Sequence, residues 1–406
     1  MLTALEQGVR GGRWHTLIDK VFVEINLLTA IRKVVSNQGA PGVDHVTVEK
    51  FDSHSREELA RLHAQLKGDT YRPQAVLRKW IDKPGSPEKR PLGIPTVRDR
   101  VVQTALRNVM EPIFDVTFAE HSYGFRPGRG CHQALEHMER LLNAGSVYVV
   151  DADLKSYFDT INHQKLLERI REKVSDSRIL KLIEMFLQQG IMDGLESWTP
   201  EQGSPQGAVI SPLLANIYLN PLDHLMTGAG YSMVRYADDF VILCQTREDA
   251  ERALETVRQW VVANDLTLHP TKTRIVDART EVFDFLGYRF RGPVRLPRPK
   301  SADKVKDTIR AKTKRTNGNS LPCIINQVNQ TLSGWFTYFR HCNRSVFQDL
   351  DCWIRGRLRS ILRKRSGRRG RGRGKDHQRW QNRFFEEHRL FNLKTAHISF
   401  SQSCFR

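Results

Sequence analysis

The chain lacks long apolar runs and paired cysteines. No hydrophobic stretch approaches the length of a bilayer span, and MLTALEQGVRGGRWHTLIDK at the N-terminus holds nothing that would serve as a signal peptide. Six cysteines (Cys131, Cys244, Cys323, Cys342, Cys352, Cys404) never form a C-x-x-C pair. That argues against a disulfide framework and against a zinc knuckle, and it fits a reducing cytosol; a cytoplasmic protein without zinc is expected. Internal repeats are absent, as is the glycine-rich phosphate turn of a doubly wound fold.

Acidic charge is scarce in one region only. From Arg291 to Arg406 there are 28 Lys and Arg against 7 Asp and Glu, a net of +21, whereas residues 1–290 hold 36 against 38. A one-sign block of that size repels itself and calls for a polyanion. Nucleic acid fits better than an anionic membrane, because no amphipathic helix with a bulky apolar face accompanies the charge. With 39 % hydrophobic residues the chain can fill sizeable cores, and 406 residues suggest two or three domains.

Along the first 290 residues, helices alternate with hairpins, which is an α+β layout. Apolar spacing predicts helices over Ile25–Val35 and Arg56–Leu66, separated by the turn-rich NQGAPGVD at 37–44. Segment 74–95 reads as a β-hairpin and about Arg98–Val116 as a helix. The loop HSYGFRPGRG follows, then a helix from about Cys131. SVYVVDADL at 146–154 is a buried strand, residues 163–189 are helical, and SMVRYADDFVILC at 232–244 is two strands about a tight turn. A helix over Arg247–Asn264 and a strand pair around FDFLGYRF at 283–290 complete this part. Composition shifts at 291–302, read as a linker. Beyond it a helical basic domain spans 303–365 and a basic tail 366–406, with RKRSGRRGRGRGK expected to be flexible without its partner.

Two acidic sites stand at strand ends, Asp153 after VYVVDA and the pair Asp238–Asp239 between MVRY and FVILC. A lone Asp-Asp in a hairpin is usually a solvated turn, since Asp favours turns. Framed by apolar strands, however, adjacent carboxylates lose hydration and repel unless a cation joins them. Oxygen-only ligation by few protein groups suits magnesium, and two such ions would serve in-line phosphoryl transfer.

At these residues the chain resembles the reverse transcriptases, most closely the bacterial group II intron-encoded reverse transcriptase/maturases. The matching stretches run in order: NQGAPGVD (37–44), KRPLGIPTVRDRVVQ (89–103), HSYGFRPGRGCHQAL (121–135), DADLKSYFDTINH (151–163), QGSPQGAVISPLLANIYLN (202–220), YADDF (236–240), LTLHPTKT (266–273) and FDFLGY (283–288). The resemblance implies a right-hand polymerase: fingers and palm with antiparallel sheet over 1–290, including an N-terminal extension over 1–45, then an α-helical thumb or maturase domain. It implies that Asp153, Asp238 and Asp239 hold two Mg2+ ions, with Mn2+ as a substitute, and that Asp151 is the less favoured ligand. Phe158 would crowd a ribose 2′-hydroxyl, core packing being the alternative and Tyr157 the competing ring; Asp159 would bond backbone. Lys83 and Arg90 would clamp the incoming triphosphate, or simply decorate an exposed hairpin, with Lys89 a competing cation. Gly203 and Gly207 would admit a close backbone approach. Gln206 would contact the nucleotide, and Lys272 would donate a proton to pyrophosphate unless it is an ordinary surface lysine. FDFLGY would be the primer grip or core.

The likeness of the C-terminal part to the maturase domain rests on GWFTYFRHCN (334–343) and LDCWIRGRLRSILRKR (350–365). Trp335, Tyr338, Phe339 and Trp353 read as core, leaving Arg340, Arg355, Arg357, Arg359 and Arg363 to face RNA, whose phosphates arginine grips with a planar fork. The tail after the thumb offers no paired cysteines, and His377, His388 and His397 are scattered. The chain therefore resembles the compact class C members, which lack an HNH nuclease domain. The implied activity is RNA-directed DNA polymerisation from a DNA primer on an RNA template with dNTPs, combined with binding of group II intron RNA, the protein forming a ribonucleoprotein with its own intron. A splicing factor with a vestigial polymerase site and a domesticated reverse transcriptase of phage defence or CRISPR adaptation are the competing readings.

Overall fold

The prolines and apolar alternation of segment 74–95 do form a hairpin, β1 (Val76–Asp82) with β2 (Lys89–Ile94), in the antiparallel register Leu77↔Ile94 to Asp82↔Lys89. The computed structural model describes residues 5, 12–82, 89–292, 294–370 and 374–404. Lys83 lies outside the described residues. The described chain forms two units, Met1–Val276 and Asp277–Arg406.

In the first unit the apolar run at 148–153 is β3 (Tyr148–Asp153), and the helical spacing of 163–189 resolves into two helices, His163–Arg171 and Ser177–Leu187. A short hairpin, β4 (Ile191–Asp193) with β5 (Glu196–Trp198), follows them; sequence reading missed it because three-residue strands show no periodicity. It extends the first hairpin into a sheet of order β2-β1-β4-β5. A second sheet has the order β6-β7-β3-β8, with β6 (Ser232–Tyr236), β7 (Asp239–Cys244) and β8 (Arg274–Asp277). Its central strands are fully apolar inward: Val149, Val150, Val241 and Ile242 are buried. Helices Ser211–Gly228 and Arg247–Ala263 cover it, the second started by Thr246, whose hydroxyl accepts from Asp249 N at 3.1 Å.

Helix Val97–Asp115 is buried nearly all round and ties this unit together. Its Asp99 accepts from Tyr71 Oη at 2.5 Å, Gln74 N at 3.1 Å and Gln189 Nε2 at 3.2 Å, so one buried carboxylate joins three segments. Asp176 does the same for the N-terminal helix Ile18–Phe22. One of its oxygens accepts from Leu17 N and Ile18 N at 2.7 and 2.9 Å, while the other caps Ser177–Leu187 through Arg178 N and Ile179 N at 2.9 and 3.2 Å.

The second unit opens with a sheet of order β11-β10-β9, from β9 (Val282–Phe285), β10 (Tyr288–Arg291) and β11 (Val294–Pro297). Two readings of the sequence change here. Residues 291–302 are not a free linker: β11 and the first turn of helix Pro299–Lys312 lie within them, Pro297 at a strand end and Pro299 at a helix start where a missing N–H costs nothing. Strand pair 283–290 groups with this unit, and of the two roles left open for FDFLGY the core one holds for its aromatics: Phe283, Phe285 and Tyr288 are buried, as is Phe290 beyond them. Helices Leu321–Phe339 and Arg344–Arg365 follow. The segment read as a basic tail contains helices Lys375–Arg379, Asn382–Glu387 and Leu393–Cys404, the last anchored where Asp351 accepts from Leu393 N and Lys394 N at 3.1 and 3.0 Å. Among the described residues no helix is long and apolar enough to cross a membrane.

Because four backbone N–H groups depend on Asp176, Asp176→Ala should lower unfolding free energy by about 3 kcal/mol in urea titration, and Asp176→Asn by less, since the amide keeps one accepting oxygen.

Candidate active site

Strand pairing brings the three aspartates together. In the antiparallel β3–β7 ladder Asp153 stands directly opposite Asp239, and Asp238 is the last residue of the two-residue turn that joins β6 to β7. Opposed residues in such a ladder point to the same face, so two carboxylates share a site that like charges disfavour. Burial raises the Asp238 carboxyl above its ordinary pKa and Asp153 adds to the rise, while the backbone N–H of Asp238, Arg90 and Arg235 oppose it.

The turn itself is held from behind. Ala237 has φ +60°, the left-handed region, where a non-glycine residue costs about 1 kcal/mol. Its carbonyl accepts from Arg235 Nη1 at 2.9 Å. The same nitrogen donates to Asn216 Oδ1 at 2.9 Å, and Arg235 Nε donates to Asp223 Oδ1 at 2.7 Å. Arg235 and Asp223 are both 0 % exposed. In front of β6 the loop HSYGF adds a bridge: Tyr123 N donates to Arg235 O and Arg235 N to His121 O, both at 2.9 Å. Gly124 then lies flat on the turn, where a Cβ would stand 2.2 Å from Ala237 N, and its carbonyl accepts from Asn216 Nδ2 at 2.8 Å. Arg235, Asp223 and Asn216 were not singled out from sequence. The available signal was a lone arginine inside an apolar strand, two residues before the turn.

A cation already meets the carboxylates. Segment 266–273 runs beside the end of β3, His269 N donating to Asp153 O at 2.7 Å and Lys155 N to Thr267 O at 2.8 Å. This carries Lys272 to Asp153, Nζ to Oδ2 at 2.6 Å. Asp151 faces Arg274 instead, at 3.8 Å. Among the described residues no three Asp, Glu, His or Cys side chains form a cluster able to ligate an ion unaided. The oxygen-only donors Asp153, Asp238 and Asp239 suit a hard divalent cation, which needs only one or two carboxylates when water and substrate phosphates fill its shell.

Across from the aspartates, Arg90 on β2 donates through Nε to Gln206 Oε1 at 2.7 Å, which joins two residues expected at the nucleotide. The Gln206 loop is laid against β2 by Gly93 N donating to Gln206 O at 2.6 Å. Gly207 has φ +110° and a Cβ there would sit 2.5 Å from Gly93 O; Gly203, at φ +90°, would collide with Asp159 O at 2.8 Å. Both glycines are thus required by close backbone approach. Ser204 N donates to Phe158 O at 2.7 Å, so the loop also rests on the Phe158 turn. Phe158 is 8 % exposed, at the edge of the core, whereas Tyr157 is committed to it, donating from Oη to Ala215 O at 2.7 Å.

In the second unit helical spacing misplaced part of the basic face. Arg359 is buried, its Nε donating to Trp380 O at 2.8 Å and Nη2 to Asn382 Oδ1 at 2.9 Å. Arg363 pairs with the buried Asp376, and Arg357 donates to Thr313 Oγ1 at 2.6 Å. The segment beyond residue 365, read as a tail, packs back on helix Arg344–Arg365 and claims Arg359 and Arg363, while Arg357 is held by Thr313. Arg340 lies over the Phe400 ring at 4.6 Å and Arg355 is half-buried. Exposed cations stand instead at Lys314, Arg315, Lys364, Arg368 and Arg369.

Comparison with known proteins finds two matching family profiles. The family profile "Reverse transcriptase (RNA-dependent DNA polymerase)" matches residues 81–290, and "Group II intron, maturase-specific domain" matches 302–380. Group II intron-encoded protein LtrA of Lactococcus lactis subsp. cremoris is 37 % identical over 214 residues, 51 % of this chain and 35 % of LtrA, so the chain spans about a third of that relative. Protein YkfC of Escherichia coli (strain K12) is 34 % identical over 304 residues, covering 65 % of this chain and 79 % of YkfC. A solved Cas6-RT-Cas1–Cas2 complex is 24 % identical with a TM-score of 0.40 over 61 % of this chain and 42 % of its own, too loose a likeness to bear on function.

Arg235→Met should cost about 3–5 kcal/mol in unfolding free energy, because Asp223 is left charged and buried. Arg235→Met combined with Asp223→Leu should recover most of that loss, as read by parallel urea melts.

Proposed function

The chain belongs to the reverse transcriptase family, in its group II intron-encoded branch with a maturase-specific domain, and from that premise we propose that it is an RNA-directed DNA polymerase that also binds group II intron RNA as a maturase. The observation that carries the reading is the β3–β7 register, which sets Asp153 against Asp239 beside a restrained Asp238.

Asp153, Asp238 and Asp239 would hold the divalent ions of the family, two Mg2+ with Mn2+ as a substitute. Bound there, the ions would lower the pKa of the primer 3′-hydroxyl and neutralise charge on the departing pyrophosphate. The rest is the work of side chains. Arg90 and Gln206, already paired, orient the incoming dNTP, the guanidinium meeting phosphate and the amide the sugar edge or the templating pair. Phe158, buried at the edge of the core, would border the space a 2′-hydroxyl needs. Lys272 neutralises Asp153 before substrate arrives and, once displaced from it, would be an ammonium available to protonate pyrophosphate.

The maturase role rests on the second unit. Its exposed cations, together with Arg340 and Arg355, would neutralise phosphates of the folded intron, so binding should weaken in salt by about 0.7–0.9 log–log slope units per contact. Splicing chemistry would stay with the RNA, and the protein would work in the cytoplasm as a ribonucleoprotein with its intron. Fingers and palm would correspond to the first unit, thumb and maturase to the second.

Primer extension on an RNA template with dNTPs and magnesium tests the polymerase. Wild type should extend, the Asp238→Ala, Asp239→Ala double variant should fall to background, and both should bind flanking intron RNA equally. Lack of extension by wild type despite tight intron binding would overturn the polymerase and leave a splicing factor. Lys272→Ala should slow single-nucleotide addition by roughly 10²-fold without altering RNA affinity.

A further inference from the structure

The loop that crosses β6 brings a second titratable group to the buried ion pair behind the turn. His121 is 8 % exposed, and its Nε2 has no hydrogen-bond partner among the described residues. That nitrogen lies 3.9 Å from Asp223 Oδ1, the oxygen that accepts from Arg235 Nε at 2.7 Å. The backbone keeps the imidazole there. His121 O accepts from Arg235 N at 2.9 Å, and Arg126 Nη1 braces the loop by donating to Ala119 O and Ser122 O at 2.8 and 3.0 Å. Burying a polar atom without a partner costs about 1–3 kcal/mol. A phenyl ring would fill the same space without that cost, so packing alone does not account for a histidine here.

The charged and titratable groups that act on the ring sit on three elements. Helix Ser211–Gly228 supplies Asp223 and His224, β6 supplies Arg235, and helix Cys131–Asn143 supplies His137. In the loop itself Arg126 is neutralised by Asp115, its Nε donating to Oδ1 at 2.6 Å, and around His137 the charges of Glu120 and Arg140 oppose each other. Burial lowers the His121 pKa most. Asp223 raises it, while Arg235, His137 and His224 lower it further. At neutral pH the ring is accordingly uncharged, and Asp223 is left to Arg235.

We propose that His121 is a positioning residue for Asp238 and Asp239 that works only while it is neutral. The proposal rests on the polymerase reading. A second proton puts N–H on both ring nitrogens, so Nε2 must donate, and Asp223 Oδ1 is the carboxylate oxygen beside it. The buried group then holds two positive charges against one negative charge, where before it held one of each. Repulsion from the imidazolium weakens the grip of Arg235 on Asp223, and with it the Nη1 bond to Ala237 O that holds the left-handed turn. The aspartate pair then loses its fixed place opposite Asp153. The sign follows from the lowered pKa. As pH falls below the ordinary imidazole range the unfolded chain takes up the proton first, so the restrained turn loses stability from there downward.

Single-nucleotide addition is followed from about pH 8 to about pH 5 for full-length wild type, His121→Gln and His121→Phe, each profile normalised to its own rate at about pH 7.5. The carboxylates give every protein an acid limb. Wild type should fall roughly tenfold further than either His121 variant by about pH 5, whereas His137→Gln and His224→Gln should follow wild type. Coincident normalised profiles for wild type and the His121 variants would overturn the proposal. Hydrogen exchange tests wild type alone. Corrected for its intrinsic pH dependence, protection of amides 233–240 should drop roughly tenfold between about pH 7.5 and about pH 5, while helix Val97–Asp115 keeps its own. Unchanged protection of 233–240 would overturn the proposal even where the variants fail to fold. Exchange is blind to polymerase activity, so absence of extension by wild type at neutral pH counts against the polymerase reading and not against the restraint.

Discussion

Everything in the first unit that concerns chemistry hangs on one buried ion pair. Arg235 and Asp223 are fully out of water, so each pays a desolvation penalty that the other offsets only in good geometry with the remaining donors satisfied. That condition is met: Nε and Nη2 go to Asp223, and Nη1 to Asn216 and to the carbonyl of Ala237. The last of these bonds converts a stability problem into a functional constraint. A two-residue turn with a left-handed alanine and two adjacent aspartates is locally unfavourable in backbone and in charge. Anchoring its carbonyl to a guanidinium that cannot move without exposing Asp223 removes the freedom to relax, and the positive charge also offsets part of the rise in the Asp238 pKa.

The same constraint explains the shape of the sequence around it. Helix Ser211–Gly228 must present Asn216 and Asp223, two turns apart, to one strand. Loop HSYGF must cross β6 closely enough that position 124 tolerates only glycine. Three of the matching stretches, HSYGF, SPLLANIYLN and YADDF, are therefore parts of a single assembly, each useless for positioning the aspartates without the other two.

Legibility followed the physics of each signal. Strands around the aspartates were readable because burial on both faces leaves an unbroken apolar run, and the helices because their apolar stripes recur at 3.6 residues. Arg235 was not, since a sequence shows a charge in a strand without showing the helix that neutralises it. Hairpin β4–β5 is too short to carry a pattern, and 291–302, rich in proline and arginine, imitates a linker although Pro297 and Pro299 sit where a strand and a helix accept them. Arginine assignments in the second unit failed for a further reason. Helical spacing tells which side of Arg344–Arg365 a residue faces, but the helices beyond residue 374 come back to cover part of that side.

Charge is divided unevenly between the parts, and that division has a mechanistic reading. Residues 1–290 are close to neutral overall and residues 291–406 hold a net +21, so general attraction for the proposed nucleic-acid partners would come from the latter. Attraction of that kind is long-ranged, salt-sensitive and indifferent to register. In the proposed polymerase, alignment would fall instead to short-range contacts such as those of the paired Arg90 and Gln206. A basic second unit for capture and a nearly neutral first unit for alignment is thus a consistent division of labour. Within the first unit Lys272 already meets Asp153, and in the proposed reaction it is the ammonium whose displacement the chemistry would use.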